Sequence, residues 1–377
     1  MNDLRTAELK GKRVLYRPDY NVPLKGGVIK DDFRIQATVP TIEYLMEHGA
    51  KIIIASHLGR PEGHEMEEFS LRPVAERLAD LFPEHTVQMA HQIDHDDVHK
   101  AIEGMQEGDI LVLPNVRFFP QEEENNDTFG HMLASLADLY VNDAFAVDHR
   151  AHASLVIPEK YIPSYPGFLL EKELEMLGKL TEKPEHPFVI IMGGAKVSDK
   201  IDVMEKLGKM ADHILIGGAM ANTFLLAKGE EISESKAEKD AIHEAEKLME
   251  MFGDKLVLAK DYAKKENGDT FSYLDIGPGA IEQFKEFLAP AKMIFWNGSL
   301  GYTEEEEYAK GSKAIAEYIG AMKGVTSIVA GGDTVEEITR LKLHDHFTFV
   351  STGGGAALEL LAGTKLPAVV ALEEAKN

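Results

Sequence analysis

Two lysines follow a glycine pair in the stretch "FVIIMGGAKVSDK", Phe188 to Lys200. The apolar run reads as a buried strand that breaks at Gly193 and Gly194. The segment beyond it reads as a helix carrying Lys196 and Lys200, four residues apart, on one face. A strand end that leads into a helix N-terminus suits an anion. An isolated pair of this kind is ordinarily two exposed helix lysines, but the glycines before it favour the anion.

The same pattern recurs along the chain. In the first half, apolar runs end in Asp19 and Asn21, in His57 and Arg60, in Arg117, and in Asn142, Asp143, His149 and Arg150. In the second half they end in Gly193 and Gly194, Gly217 and Gly218, Gly298 and Gly301, Gly331 and Gly332, and Gly353, Gly354 and Gly355. Arginine forks bind carboxylate or phosphate on a small molecule. Glycine turns at helix N-termini permit the close backbone approach that a nucleotide phosphate chain needs. The two halves therefore read as one lobe for a small acid and one for a nucleotide. Neither G-x-x-x-x-G-K-[ST] nor a strand followed by G-x-G-x-x-G is present, which counts against P-loop and ordinary dinucleotide-binding folds.

Several side chains have two readings. Asp333, in "AGGDT", suits a helix N-cap or a ligand for Mg²⁺, which takes one or two carboxylates and fills its other positions with water and phosphate. Arg34 follows "KDDF", where a surface pair with Asp31 or Asp32 is the ordinary role. Arg60 and Arg150 sit in turns, where binding is favoured. His57, His149 and His152 suit structural hydrogen bonding first, and acid/base or metal roles second. His91, His95 and His99 share a helical face, but their strongly polar segment reads as a solvated helix. The acidic runs "QEEENND" and "TEEEEY" read as solvated too, with Glu304 placed where it could meet a ribose.

The elements that must position these residues are short β-branched runs alternating with amphipathic helices. One such helix is "LRPVAERLADLF", with Ser70 as its N-cap and Pro73 in its first turn. This alternation predicts α/β lobes with doubly wound parallel sheets. In such sheets ligands bind outside the carboxyl ends of the strands. The expected division is an N-terminal lobe over 1–167, a connecting segment over 168–185 whose helix ends before Pro184 and Pro187, and a second lobe over 186–364.

Composition narrows the class. A formal charge of −24 opposes nucleic-acid and anionic-membrane partners, so an anionic substrate needs a local basic patch. The absence of cysteine excludes disulfides, thiolate metal sites and a Cys nucleophile. The opening "MNDLRTAELKGKR" has no apolar core and no run reaches transmembrane length, which points to the cytoplasm.

Read in order, the strand-end motifs resemble those of the phosphoglycerate kinase family across essentially the whole chain: "YRPDYNVPL", "DDFRIQATVPTI", "SHLGRPEG", "NVRFFPQEE", "YVNDAFAVDHRAHAS", "GGAKVSDKI", "LIGGAMANTFL", "WNGSLG", "AGGDT" and "STGGGAALELL". The resemblance implies a bilobal, monomeric enzyme that moves a phosphoryl group between 1,3-bisphosphoglycerate and MgADP, giving 3-phosphoglycerate and MgATP. It implies a 3-phosphoglycerate site of Asp19, Asn21, Arg34, His57, Arg60, Arg117 and Arg150. It implies a nucleotide site of Lys196, Lys200, Gly217, Gly218, Asn297, Glu304, Gly332, Asp333 and Thr334, with Asp333 on Mg²⁺. Arg34, Lys196, Lys200 and the Gly353–Gly355 turn would surround the moving phosphoryl. The segment 365–377 would return to the first lobe.

The chain departs from the family pattern at Pro18, expected to bend its strand end, and at Ala146 and Asp148, expected to put an extra carboxylate beside Arg150. Ser299 and Tyr302 also depart, near the expected base pocket. The competing readings are a non-catalytic binding protein of the same fold, a nicotinamide-dependent dehydrogenase, and a scaffold or adhesin. The dehydrogenase requires a glycine fingerprint that "YRPDYNVPL" lacks.

Overall fold

The computed structural model describes residues 1–93 and 96–375. The chain divides into two compact units. Unit 1 comprises Met1–Leu174 and the residues from Lys365 onward, and unit 2 comprises Glu175–Thr364.

Unit 1 contains β1 (Arg13–Pro18), β2 (Leu24–Lys25), β3 (Val28–Ile29), β4 (Lys51–Ile54), β5 (Val87–Met89), β6 (Ile110–Val112), β7 (Leu139–Asp143) and β8 (Ser164–Pro166). Unit 2 contains β9 (Phe188–Met192), β10 (His213–Ile216), β11 (Leu256–Leu258), β12 (Tyr262–Asn267), β13 (Thr270–Ile276), β14 (Met293–Asn297), β15 (Thr326–Ala330) and β16 (Phe349–Val350). Each unit has one parallel sheet, ordered β5-β6-β4-β1-β7-β8 in unit 1 and β11-β10-β9-β14-β15-β16 in unit 2. Flanking helices cover the central strands, so β7, β9 and β14 are buried throughout. Two antiparallel pairs, β2-β3 and β12-β13, stand apart from the sheets.

In each sheet the strand order reverses at the middle. In unit 1 the chain winds outward from β1 through β4 and then returns to β7 on the other side of β1. Tyr16 accordingly lies between Ile54 and Val141. In unit 2 the reversal falls between β9 and β14, with Trp296 opposite Ile191. The residues after these strands therefore border a crevice. β1 extends through Pro18 in register with Asp143, and the Pro18 carbonyl accepts from the Ser56 hydroxyl at 2.8 Å and from Arg17 at 2.7 Å. The strand thus continues in register through Pro18, with its end fastened through the Pro18 carbonyl.

The helix over 72–81 begins at Arg72, with Leu71 rather than Ser70 as its N-cap residue. The Ser70 hydroxyl still accepts the Arg72 N–H at 3.2 Å, so it satisfies one orphan donor from one position further out. The helix Phe168–Glu182 stops before Pro184, and the division between the units falls inside it, between Leu174 and Glu175. The last helix, Pro367–Glu374, belongs to unit 1. Its Ala368 packs with Ala144, Val147 and Leu155, and the Ala368 N–H donates to the Asp148 carbonyl at 3.2 Å.

Asp143, fully buried at the end of β7, ties three elements together. Its carboxylate accepts from the Tyr16 hydroxyl of β1 at 2.7 Å and from the Thr41 hydroxyl of the helix Phe33–Glu47 at 2.7 Å. It also accepts from the Leu170 N–H, in the first turn of the helix Phe168–Glu182, at 2.9 Å. Burial pushes this carboxyl up to about 6, against the pull of those donors. Asp143→Ala leaves all three donors buried without a partner. It should cost unit 1 about 3 kcal/mol, read as a lower urea midpoint or melting temperature, while unit 2 unfolds as before.

Candidate functional site

At the carboxyl end of the unit 1 sheet lies a cavity of about 280 Å³ lined by Asp19, Asn21, Arg34, His57, Gly59, Arg60, Arg117, Glu123, Ala146, Val147, His149 and Arg150. These residues follow β1, β4, β6 and β7, together with the first turn of the helix after β3. Arg34 pairs with Asp19, not with Asp31 or Asp32. Asp31 instead accepts the Phe33 N–H at 2.8 Å, and Asp32 pairs with Arg77 at 2.8 Å. Burial alone would raise Asp19, but Arg34, His57, the Asn21 N–H and Arg17 outweigh it and hold this carboxyl below the usual range. The result is a short anion locked inside a rim of arginines. Arg60 and Arg150 are exposed at that rim and able to close on a second anion.

A chain of hydrogen bonds fixes the rim. The Asn21 side-chain oxygen accepts the Gly59 N–H at 2.9 Å, and the Gly59 carbonyl accepts from Arg117 at 2.9 Å. Gly59 has φ +63°, and a Cβ there would overlap the Phe69 ring, so only glycine carries the chain through this turn. His57 is fully buried. Burial, helped by Arg117, Arg17 and Arg34, drives it well below its ordinary value despite Asp19 at 3.7 Å. Burial, Arg117 and Arg17 likewise bring His152 down to about 3. Burial keeps both rings neutral near pH 7, and the buried His57 Nδ1 has no hydrogen-bond partner among the described residues.

Behind the cavity stands Arg17, which sequence reasoning passed over. It is fully buried, donates to Ser154 Oγ at 2.8 Å, and lies 4.0 Å from buried Glu122. Ser154 in turn donates to Glu122 through both its hydroxyl, at 2.6 Å, and its N–H, at 2.8 Å. The signal was legible: an arginine inside an apolar strand run is almost never buried unless paired.

Asp148 was expected beside Arg150 and is not there. Its carboxyl is turned into the core, where Oδ1 accepts from Asn142 at 3.1 Å, and it does not line the cavity. A short 3₁₀ turn, Phe145–Val147, rotates the next residue inward.

In unit 2 a cavity of about 260 Å³ gathers Lys196, Lys200, Asn297, Gly332, Asp333, Gly354 and Gly355, together with Asp199 and the turns at Gly194, Gly298 and Gly331. Helices starting at Ile201, Gly332 and Gly355 direct their N-termini toward it, a favourable field for phosphate. The expected helix bearing both lysines is absent. Residues 194–200 form a loop and the helix starts at Ile201. The cause is tertiary: the Gly194 carbonyl accepts the Met220 N–H at 2.9 Å, and the Ser198 N–H that would close a helical turn on it donates to Glu238 at 3.0 Å, while the Gly194 N–H donates to the Ser299 carbonyl at 2.7 Å. Lys200, at the cap position, is buried and donates to Asn297 Oδ1, whereas Lys196 is exposed. Burial brings Lys200 down to about 8, with Asp333 and Asp199 opposing it.

Asp333 is the second residue of the helix Gly332–Arg340, whose cap is Gly331, so the carboxylate does not serve as the N-cap. Asp199 was not singled out from sequence, although its place between two phosphate-type lysine positions was visible. Gly217, Gly218, Glu304, Thr334 and Gly353 do not line this cavity. Gly218 packs against Gly194, with its N–H donating to the Leu300 carbonyl at 2.9 Å. The Thr334 hydroxyl accepts the Gly298 N–H at 2.6 Å, and the Gly353 N–H donates to Ser351 Oγ at 3.0 Å. Glu304 is exposed in the turn after Tyr302. Of the histidine series, His91 lies before the helix Asp96–Gly104, His99 is exposed on it, and His95 is outside the described residues. Among the described residues no group of three or more His, Cys, Asp or Glu side chains is placed to hold a metal ion, and no single helix is long and apolar enough to cross a membrane.

Asp148 supplies a pH test. Burial raises its carboxyl to about 7, from 3.8. Between roughly pH 4 and 7 the unfolded chain releases this proton and the folded chain keeps it, so its contribution to stability falls as pH rises through that window and is flat above it. Asp148→Asn lacks the titration. Its melting temperature should gain on the parent's from pH 4 to 7 and keep a constant lead at pH 8.

A model of the phosphoglycerate kinase family matches residues 2–364. The phosphoglycerate kinase of Dictyoglomus turgidum is 47% identical over 99% of this chain and 98% of its own length, and that of Fervidobacterium nodosum is 44% identical over the same shares. Among solved structures, phosphoglycerate kinase from Coxiella burnetii matches with a TM-score of 0.86 at 36% identity, covering 100% of both chains. The Pyrococcus horikoshii enzyme matches with a TM-score of 0.89 at 32% identity, covering 99% of this chain and 98% of that one. With two doubly wound sheets and anion-adapted cavities at their carboxyl ends, this chain belongs to the phosphoglycerate kinase family of phosphotransferase enzymes.

Proposed function

We propose that the chain transfers a phosphoryl group reversibly between 1,3-bisphosphoglycerate and MgADP, giving 3-phosphoglycerate and MgATP, as a cytoplasmic monomer. The observation that carries this reading is the division of chemistry between the two cavities. One is rimmed by Arg34, Arg60, Arg117 and Arg150, and the other by lysines, glycine turns and helix N-termini. The first suits a small phosphorylated acid bound bidentately, the second a polyphosphate.

In the ATP-consuming direction the nucleophile is the carboxylate of 3-phosphoglycerate, already ionised near neutral pH, so no general base is needed. This agrees with neutral, buried His57 and His152. Catalysis then consists of placing the carboxylate in line with the γ-phosphorus and neutralising the three equatorial oxygens of a loose transition state. Arg34 is assigned to one side of that group, and Lys196, Lys200 and the backbone of Gly354 and Gly355 to the other. The Gly353 N–H is already used by Ser351. Closure of the units to exclude water is part of the proposal.

The residues present fit Mg²⁺ in the form it takes with nucleotides. Asp333 offers a carboxylate beside the phosphate cavity, Asp199 stands nearby, and the remaining positions fall to water and phosphate oxygens. When bound there, the ion neutralises charge on the β- and γ-phosphates. Glu304 is assigned to the ribose, and Gly217 and Gly218 to the base side.

The test is turnover of 3-phosphoglycerate with MgATP, coupled to NADH oxidation by glyceraldehyde-phosphate dehydrogenase. Lys196→Ala should lower kcat by roughly 10²-fold or more while the KM for 3-phosphoglycerate stays within about twofold. Arg150→Ala should raise that KM about tenfold and spare the nucleotide KM. An unchanged kcat in the first variant, or a purely nucleotide-side effect in the second, overturns the assignment of that residue.

A further inference from the structure

The loop Gly298–Glu304 leaves β14 and runs between the glycine turns of β9 and β10. The Ser299 carbonyl accepts the Gly194 N–H at 2.7 Å, and the Leu300 carbonyl accepts the Gly218 N–H at 2.9 Å. The placement of this loop therefore decides how the base side of unit 2 stands relative to the phosphate cavity. Beneath it lies Asp275, the penultimate residue of β13, which is buried and takes no part in either cavity.

The Asp275 carboxylate reaches out of its own strand. Oδ2 accepts the Gly311 N–H at 2.7 Å, and Oδ1 accepts the Ile276 N–H at 2.8 Å. Gly311 is the second residue of the helix Lys310–Ala321, whose N-cap, Ala309, has no side-chain acceptor. A carboxylate from another element thus caps this helix and meets its positive end. A Cβ added to Gly301 or to Gly311 would overlap Asp275 Oδ1, so the group is clamped between loop and helix. The capped helix then holds the loop in turn, because buried Ser312 accepts the Leu300 N–H at 2.9 Å. On the strand side the Leu274 carbonyl accepts the Tyr302 N–H at 2.7 Å.

We propose that Asp275 is a positioning residue for the nucleotide, holding the loop Gly298–Glu304 through Gly301 and through the Gly311–Ser312 helix turn so that Glu304 and the Gly217–Gly218 turn stand in register with the phosphate cavity. This rests on the assignment of unit 2 to the nucleotide.

A matched control exists in the same unit. Asp261 caps the helix Pro278–Leu288 in the same manner, accepting from Gly279 at 3.1 Å and from Ala280 at 2.5 Å, and it makes no hydrogen bond to the loop. The reporter is Trp296, the chain's single tryptophan, whose indole N–H donates to the Gly298 carbonyl at 2.8 Å.

The experiment compares Asp275→Ala, Asp275→Asn and Asp261→Ala in the full chain by coupled assay and tryptophan emission. Asp275→Ala should raise the MgATP KM about tenfold, leave the KM for 3-phosphoglycerate within about twofold, and shift the Trp296 emission. Asp275→Asn keeps one acceptor and should recover much of that loss. Asp261→Ala should lower the melting temperature but leave the MgATP KM and the emission unchanged. An unchanged MgATP KM in Asp275→Ala, an equal rise in both substrates' KM values, or the same nucleotide effect in Asp261→Ala overturns the proposal. If Asp275→Ala fails to fold, Asp275→Asn decides: a nucleotide-only rise of about threefold supports the proposal, and no change overturns it. A parent chain that neither binds MgATP nor turns over defeats the nucleotide assignment itself, which is a different result from any of these.

Discussion

One backbone hydrogen bond, from the Gly194 N–H to the Ser299 carbonyl, sets the form of the unit 2 cavity. It joins the turns after β9 and β14, the two strands that border the reversal of strand order. With the Gly194 carbonyl committed to Met220 and its i+4 partner, the Ser198 N–H, committed to Glu238, the chain does not close a helical turn at the strand end. It travels as a loop to Lys200 before the first helical turn. That detour delivers a buried, reduced-pKa ammonium to Asn297 at the mouth of β14 and leaves Lys196 free at the rim. The left-handed backbone at Gly194 and Gly298, and the space a Cβ on Gly193 or Gly218 would fill, are the conditions for that approach.

Unit 1 solves a related problem with side chains. Cations that are to stay available at a cavity rim must be held in place without being neutralised. Arg17 is spent internally, on Ser154, Pro18 and Glu122, and Arg34 is shared with Asp19, while Arg60 and Arg150 remain at the rim. The chain as a whole carries −24, so this local excess of arginine stands against an acidic background that discourages nonspecific anionic partners.

Much of this is legible in the sequence, because parallel strands alternate with helices and ligands gather where strands end. Asp19, Asn21, Arg34, His57, Arg60, Arg117 and Arg150, scattered over the first half of the chain, all line one cavity. What pattern could not supply was tertiary. The lysine spacing suggests a helix because periodicity does not register competing hydrogen bonds from other elements. Asp148 was placed with Arg150 by adjacency, yet one 3₁₀ turn separates their directions. The edge strands β5 and β8 carry no apolar run to read, one being partly exposed and the other ending in proline.

Unit 1 is built from both ends of the sequence: the helix Pro367–Glu374 packs on Ala144, Val147 and Leu155, with the whole of unit 2 lying between them along the chain. During synthesis the first unit to emerge is therefore the last to be completed. Its apolar patch around Val147 and Leu155 stays uncovered until unit 2 has left the ribosome, so the order of translation and the order of folding run in opposite senses for this part of the molecule.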